Sequence, residues 1–245
     1  MALATPMTST RGLLLAGLGW IAVLVSGCSP WDDSPLLTLE QSVIGGDSEA
    51  LTLKVESAGG LVEVLGGAEA QLEALFEFDN ERMRPQLRQR VEGERLSVDI
   101  DQPDFGGPTR RSRNYWHLGL GVQRPVDLQV SLGIGEIRCL PGFTPLENLN
   151  LHVGTGDMIV DLSRVALSEE GLKGVLDVGN GQIVLRLPPK AGIRLRTKVV
   201  AGDVQALGLD EKDGTFVNAA WSEGQQDLDL VVTGGISVVT VELGF

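Results

Sequence analysis

Cysteine is nearly absent from this sequence: 245 residues contain two, Cys28 and Cys139. Two cysteines, one of them at the end of an N-terminal leader, cannot build the disulfide framework that staples small exported domains. Cys139 alternates with Ile137 along an apolar run. It reads as a small buried hydrophobe, not as a reactive thiol. Histidine is as scarce. His117 and His152 are far apart and lack metal-ligand spacing, so no metal site is expected. No Gly-x-Ser-x-Gly, cysteine–histidine or paired-acid motif is present. Helical periodicity is missing too, except over residues 165–172, which could form a short turn. Positive charge is in short supply, with 20 Lys and Arg against 33 Asp and Glu. That balance argues for solubility and against bulk binding of nucleic acid or anionic lipid.

Glycine, by contrast, is abundant: 32 residues, about twice the usual share of ~7%. Many fall in one recurring pattern of an alternating apolar run, a glycine turn and a second alternating run. The copies read VDLQVSLGIGEIRCLPG from Val126, LNLHVGTGDMIVDLSR from Leu149, VLDVGNGQIVLRLPP from Val175 and IRLRTKVVAGDVQALG from Ile193. Their turn glycines are Gly135, Gly156, Gly181 and Gly202, spaced by 21, 25 and 21 residues. LTLKVESAGGLVEVLGG, from Leu51, is a further copy. The last, LDLVVTGGISVVTVE from Leu228, has an open register: aligning on Gly234 suits its second run and aligning on Gly235 its first.

Within one copy, Leu149, Leu151 and Val153 alternate with Asn150 and His152, and Met158, Val160 and Leu162 alternate after the turn. Period two marks a half-buried strand. Gly-x-Gly permits a sharp reversal, because glycine takes positive φ without a Cβ penalty. Asp157 is placed to bond turn amides. A dinucleotide fingerprint would need a third glycine opening a helix, and Gly156 is followed by a strand-like Met-Ile-Val. The tandem short period of calcium-binding β-rolls is absent as well. No cofactor is expected. Self-similarity at this period predicts an all-β, single-domain, β-solenoid-like stack of glycine-turn strand repeats, with a β-sandwich as the alternative.

The first 27 residues read as a targeting segment. Arg11 supplies a positive n-region, and residues 12–25 are an apolar stretch too short to span a bilayer comfortably. The segment ends Leu24-Val25-Ser26-Gly27-Cys28, which resembles the bacterial lipobox. The resemblance implies cleavage of a signal peptide, residues 1–27, before Cys28 and acylation of that cysteine, whose chains would anchor the protein to a membrane. Removing residues 1–27 takes away Arg11 and no acids, leaving 19 basic and 33 acidic residues, formally −14. Ser29 follows the cysteine. The lack of an aspartate retention signal there favours the outer membrane, facing the periplasm, in a two-membrane cell. Residues 28–50, with Pro30, Pro35 and Gly45-Gly46, are expected to be a lipidated tether.

The remainder, residues 51–245, is expected to be the β-repeat domain: N-terminal hairpins over 51–101, an inserted loop over 102–124 and repeats over 126–245. One hairpin is expected around Glu92-Gly93-Glu94. The loop breaks the rhythm with Pro103, Gly106-Gly107-Pro108 and a basic, aromatic cluster. Long loops are often functional, and arginine, tyrosine and tryptophan are enriched in binding hot spots. Arg110, Arg111, Arg113, Tyr115 and Trp116 are therefore the candidate binding residues. On an acidic chain they would draw an anionic envelope component or an envelope protein. The plainer alternative is that Tyr115 and Trp116 cap one end of the core. Nine of the 20 basic residues fall at positions 82–124. Those of the hairpin are expected to pair with Glu77, Glu81, Glu92, Glu94 and Asp99, each pair worth roughly 0–1 kcal/mol.

The Gly-x-Gly-[Asp/Glu/Gln]-aliphatic repeats, the hairpin at 91–100 and an aromatic lead-in (Phe216, Trp221) to a final glycine strand resemble the toast-rack family. The likeness covers about residues 51–245. It implies a β-solenoid-like domain of the putative-adhesin type, found in bacterial lipoproteins and in membrane proteins of envelope-stress responses. It brings no catalytic residues. The expected function is that of a non-catalytic, membrane-anchored envelope lipoprotein, a scaffold or binding module in adhesion or envelope organisation. A modulator of envelope-stress signalling is the alternative. A polysaccharide-active β-helix enzyme fits less well, because Glu136 and Gln182 stand where Asp157 and Asp203 recur, and such tolerance suits a turn-stabilising slot better than catalysis.

Overall fold

A computed structural model of the chain describes residues 35–103, 113–222 and 227–244. Its strands are β1 (Leu37–Val43), β2 (Ala50–Ala68), β3 (Leu72–Phe78), β4 (Gln86–Glu92), β5 (Arg95–Asp101), β6 (Asn114–Gly121), β7 (Val126–Leu140), β8 (Leu146–Asp161), β9 (Leu172–Leu187), β10 (Ile193–Ala206), β11 (Asp210–Lys212), β12 (Thr215–Val217) and β13 (Leu228–Leu243). They form one open sheet in the order β1-β3-β6-β2-β7-β8-β9-β13-β10-β12-β11, with β5 and β4 branching from β2. Among the described residues, helix is limited to α1 (Ala219–Ser222) and a 3₁₀ turn at Glu81–Met83. Residues 165–172 form no helix.

Six long strands, β2, β7, β8, β9, β13 and β10, are parallel rungs of a stack. Each rung changes face at its glycines. In β8 the buried residues are Leu149, Leu151 and Val153 before the turn, then Met158 and Val160 after it. On a straight strand these odd and even positions would face opposite ways. Both sets are buried, so the strand folds at Gly154 and Gly156 and its two arms close on one core. Repetition from rung to rung makes that core continuous, from Leu51 and Val62 in β2 to Leu230 and Val239 in β13.

The glycines are required by the stacking itself. Gly60, Gly135, Gly156 and Gly181 are register partners. Gly156 has φ +139°, and a Cβ there would fall on the carbonyl oxygen of Gly135, well inside the 3.0 Å that Cβ atoms keep from other heavy atoms. From β2 to β9 each rung's corner carbonyl thus occupies the space where the next rung's Cβ would be. Asp157 spans the same gap: its Oδ1 accepts the Gln182 N–H of the next rung at 3.2 Å.

The last repeat resolves its register in an unexpected place. β13 inserts between β9 and β10 instead of extending the stack. Ser237 pairs with both Gly181 and Gly202, while Gly234 lies opposite Val178 and Val199. The corner column at this rung therefore holds a serine.

Three expectations about the N-terminal half are corrected. Residues 37–43 are not tether: β1 alternates Leu37, Leu39 and Val43 inward against Thr38, Glu40 and Ser42 outward, and pairs antiparallel with β3. The expected loop at 102–124 contains β6, a strand buried between β2 and β3. Nor does β2 belong to a hairpin, since β5, β6 and β7 all run parallel to it. The β4–β5 hairpin turns through Gly93, at φ +63°, where expected.

Candidate functional site

The insertion sits at the corner of a split rung. β5 pairs with the first arm of β2 (Ala50 with Arg95 to Glu56 with Asp101) and β6 with the second (from Leu61 with Tyr115). Residues 102–114 therefore join two half-rungs where the other rungs have a glycine corner. The Asn114 carbonyl lies where a Cβ of Gly60 would fall, so the split rung still takes part in the column.

Polar side chains hold the ends of the insertion. The Asn114 amide is buried and donates to the Gly59 carbonyl at 2.7 Å. Its Oδ1 accepts from Trp116 Nε1 at 2.8 Å. Ser57 Oγ donates to Gln102 Oε1 at 3.1 Å, and Gln102 Nε2 donates to the Met83 carbonyl at 3.0 Å. At the other root, the Arg113 N–H donates to Asp79 Oδ2 at 2.8 Å, and the Asp79 N–H to the Arg113 carbonyl at 3.1 Å. These bonds replace the corner's missing glycines and give both ends of the insertion a fixed base.

This geometry divides the candidate binding residues. Trp116 is 0% exposed and meets Phe76 edge-on at 5.3 Å, so it is a core residue and not a contact residue. The reason is parity: Asn114, Trp116, Leu118 and Leu120 are the inward set of β6. Tyr115 is on the outward face and half-buried. The Arg113 guanidinium is 3.9 Å from Asp79 and partly exposed. Arg110, Arg111 and Cys28 lie outside the described residues. The hairpin arginines are paired, Arg84 with Glu81 and Arg90 with Glu92 and Asp99. Arg95 reaches further than expected, bonding Asp127 at 2.7 Å and Glu147 at 3.2 Å across three strands.

Outward neighbours of Tyr115 form a second feature that the sequence did not suggest. His117 Nδ1 lies 2.9 Å from Glu63, and its Nε2 lies 3.7 Å from Glu77. Beside it runs a groove of about 490 Å³ lined by Glu40, Gln41, Glu73, Leu65 and Leu75. Only the pairing of β1 with β3 and β3 with β6 brings Glu40, Glu73 and His117 together. Among the described residues, no group of three or more His, Cys, Asp or Glu is arranged to hold a metal ion. The corner acids are engaged structurally: Glu136 pairs with Arg138 at 2.6 Å, and Asp157 bonds the Gln182 amide. Cys139 is buried, and burial pushes its thiol up to about 12.

A family model, the N-terminal domain of toast_rack, DUF2154, matches residues 33–187. The chain belongs to the toast-rack family. The matched segment ends with β9, so the β13 and β10 rungs of this toast-rack protein lie beyond it. The fold matches that of a "putative cell adhesion protein" of Clostridium sporogenes with a TM-score of 0.78 at 18% identity, over 85% of this chain and 100% of that one. A "putative adhesin" of Parabacteroides distasonis matches at 14% identity over 86% of this chain and 87% of its own. One of Bacteroides fragilis matches at 7% over 84% and 97%. At TM-scores of 0.34 and 0.26 these two add nothing to the fold assignment. No curated protein matches the chain. No helix among the described residues is long and apolar enough to cross a membrane.

Proposed function

We propose that this toast-rack protein is a non-catalytic lipoprotein of the bacterial cell envelope, anchored through Cys28, and that it acts as a scaffold or binding module. The observation that carries the binding reading is the insertion at the β5–β6 corner. Among the described residues a regular stack is interrupted at one split rung, and the interruption is tied down at both roots by the Asn114 and Asp79 hydrogen bonds. Roots that are already fixed need no further ordering when a ligand binds. The binding set is Arg110, Arg111 and Arg113 together with Tyr115, and Trp116 is the buried anchor of the strand that follows. A negatively charged envelope component or protein face is the ligand that such a cluster on an acidic chain would select. The likeness in fold to a protein named for cell adhesion is consistent with this reading.

Two experiments test the two halves separately. Cys28→Ala should move the protein from the detergent phase to the aqueous phase in Triton partitioning; unchanged partitioning refutes the anchor. Changing Arg110, Arg111 and Arg113 together to Ala should abolish salt-sensitive recovery of anionic components from solubilised envelope. Recovery equal to the parent protein at both low and physiological salt refutes the site.

A further inference from the structure

The stack ends on a strand whose outer edge is free over one particular stretch. Arg194, Leu195 and Arg196 of β10 pair with β12, and Thr197 N–H bonds the Gly214 carbonyl at 2.9 Å. From residue 198 to 206 no described strand pairs with that edge. Free edges in native sheets are normally protected by charge, proline or bulges. The β4 edge follows this rule, with Arg88, Arg90 and Glu92 exposed along it. The middle of the β10 edge reads Val199-Val200-Ala201-Gly202, and Val200 is 82% exposed. The core beneath it is also unfinished. Val204 and Ala206 point inward but are only partly covered, whereas their partners one rung in, Val239 and Val241, are fully buried.

We infer that the β10 edge is a homodimer interface, closed by antiparallel pairing with β10 of a second copy. The shape of the free edge selects this occupant. Any strand that covers it must span both arms of a rung. At the opposite end of the sheet no strand does so: that end is split into β5–β4 on one arm and β6–β3–β1 on the other. Head-to-tail stacking therefore offers no matching partner, and β10 itself does.

A two-fold axis through the corner sets the register. The inward residues of one arm, such as Val199, must lie over the inward residues of the other, such as Val204. Pairing Val199 with the second copy's Val204 satisfies this, and it places Ala201 opposite Gly202 at the axis. Thr197 then falls opposite Ala206. Those are the two limits of the free edge, Thr197 being already bonded to Gly214 and Ala206 being the last residue of β10. In the same register Lys198 lies diagonally beside Asp203 of the second copy. That is within reach of a long side chain across an antiparallel pair. Symmetry makes two such pairs, and Val200 is covered.

Sedimentation equilibrium of the full chain in density-matched detergent tests the interface. The parent protein should be dimeric. Lys198→Asp sets two like-charge pairs across the axis and should weaken dimerisation at least tenfold, as should Asp203→Lys. The combination of Lys198→Asp with Asp203→Lys should restore it to within about threefold. Both positions are exposed, and the variants should keep the circular dichroism spectrum of the parent. A monomeric parent at about 100 μM, single changes without effect, or a double change that stays monomeric would each overturn the inference. Loss of the lipid anchor or of the arginine site leaves it standing, since none of those residues takes part.

Discussion

Gly156→Ala is the sharpest test of how the rungs are held together. Two costs are expected. The residue has φ +139°, outside the range that L side chains adopt readily, and holding alanine there costs on the order of 1–3 kcal/mol. The added Cβ would also overlap the Gly135 carbonyl. That carbonyl belongs to backbone pinned within the sheet, on a rung paired on both sides, so it cannot step aside as a flexible side chain could. The sum is about 3 kcal/mol or more. Gly142→Ala is the control: its φ is +56° and nothing lies within 4 Å of the added Cβ, so it should cost about 1–2 kcal/mol. Gly202→Ala should fall between them. It meets the Ser237 carbonyl, and β13 is the one described strand that pairs with its rung at that position. Urea unfolding followed by tryptophan fluorescence gives all three values, with Trp116 as a buried reporter. If Gly156→Ala were no worse than Gly142→Ala, the corner carbonyls would not be in contact and the explanation of the glycine column would fail.

Three further outcomes are expected. Asp229 bonds both Arg194 and Arg196, and the Arg194 hydrogen bond holds its carboxyl below the ordinary carboxylate range. A depressed value means that the stabilisation is present above the unfolded value and is lost as pH falls through the folded one. Asp229→Asn should therefore lower the thermal midpoint at neutral pH, by about 1–2 kcal/mol of stability, and the gap from the parent should close below about pH 4. Trp116→Phe removes the donor to Asn114 Oδ1 and should cost about 1–3 kcal/mol in urea unfolding, because the acceptor is left buried without it. Cys139, with its thiol pushed up to about 12, should stay unlabelled by a thiol reagent at pH 8 in the folded protein and react at the rate of global unfolding.

Much of this fold was legible because the repeats obey one rule twice: period-two burial on each arm and a glycine at the corner. Leu149, Leu151, Val153, Met158 and Val160 lie where alternation puts them, and Gly135, Gly156, Gly181 and Gly202 have the positive φ that the turn pattern implies. Legibility failed where local composition hid alternation. In β6 the run Asn-Tyr-Trp-His-Leu-Gly-Leu-Gly has glycines at strand positions and follows a stretch rich in arginine, glycine and proline, so it read as loop. In β1 the alternating Leu37, Leu39 and Val43 were the available signal, obscured by the flanking prolines and glycines. The His117 groove had no local signal at all. Its residues come from four strands, β1, β2, β3 and β6, joined by non-local pairings.

The position of the last repeat has a different cause. Sequence order suggests that β13 extends the stack past β10, and side-chain pattern alone allows either position, since both strands carry alternating runs about a corner. What separates them is how well each tolerates a free edge. β13 supplies Val231, Val232, Ile236, Val238, Val239 and Val241, β-branched residues that gain most from neighbours on both sides. Their partners on β10 are Arg196, Thr197, Ala201, Asp203, Val204 and Ala206, of which only Val204 matches its partner in apolar size. With β13 inside, the richer strand is paired on both sides by β9 and β10. The poorer strand is left at the end, and its free stretch carries Lys198 and Asp203. The exchange of rung order and the open β10 edge are thus one consequence of where the larger apolar residues lie.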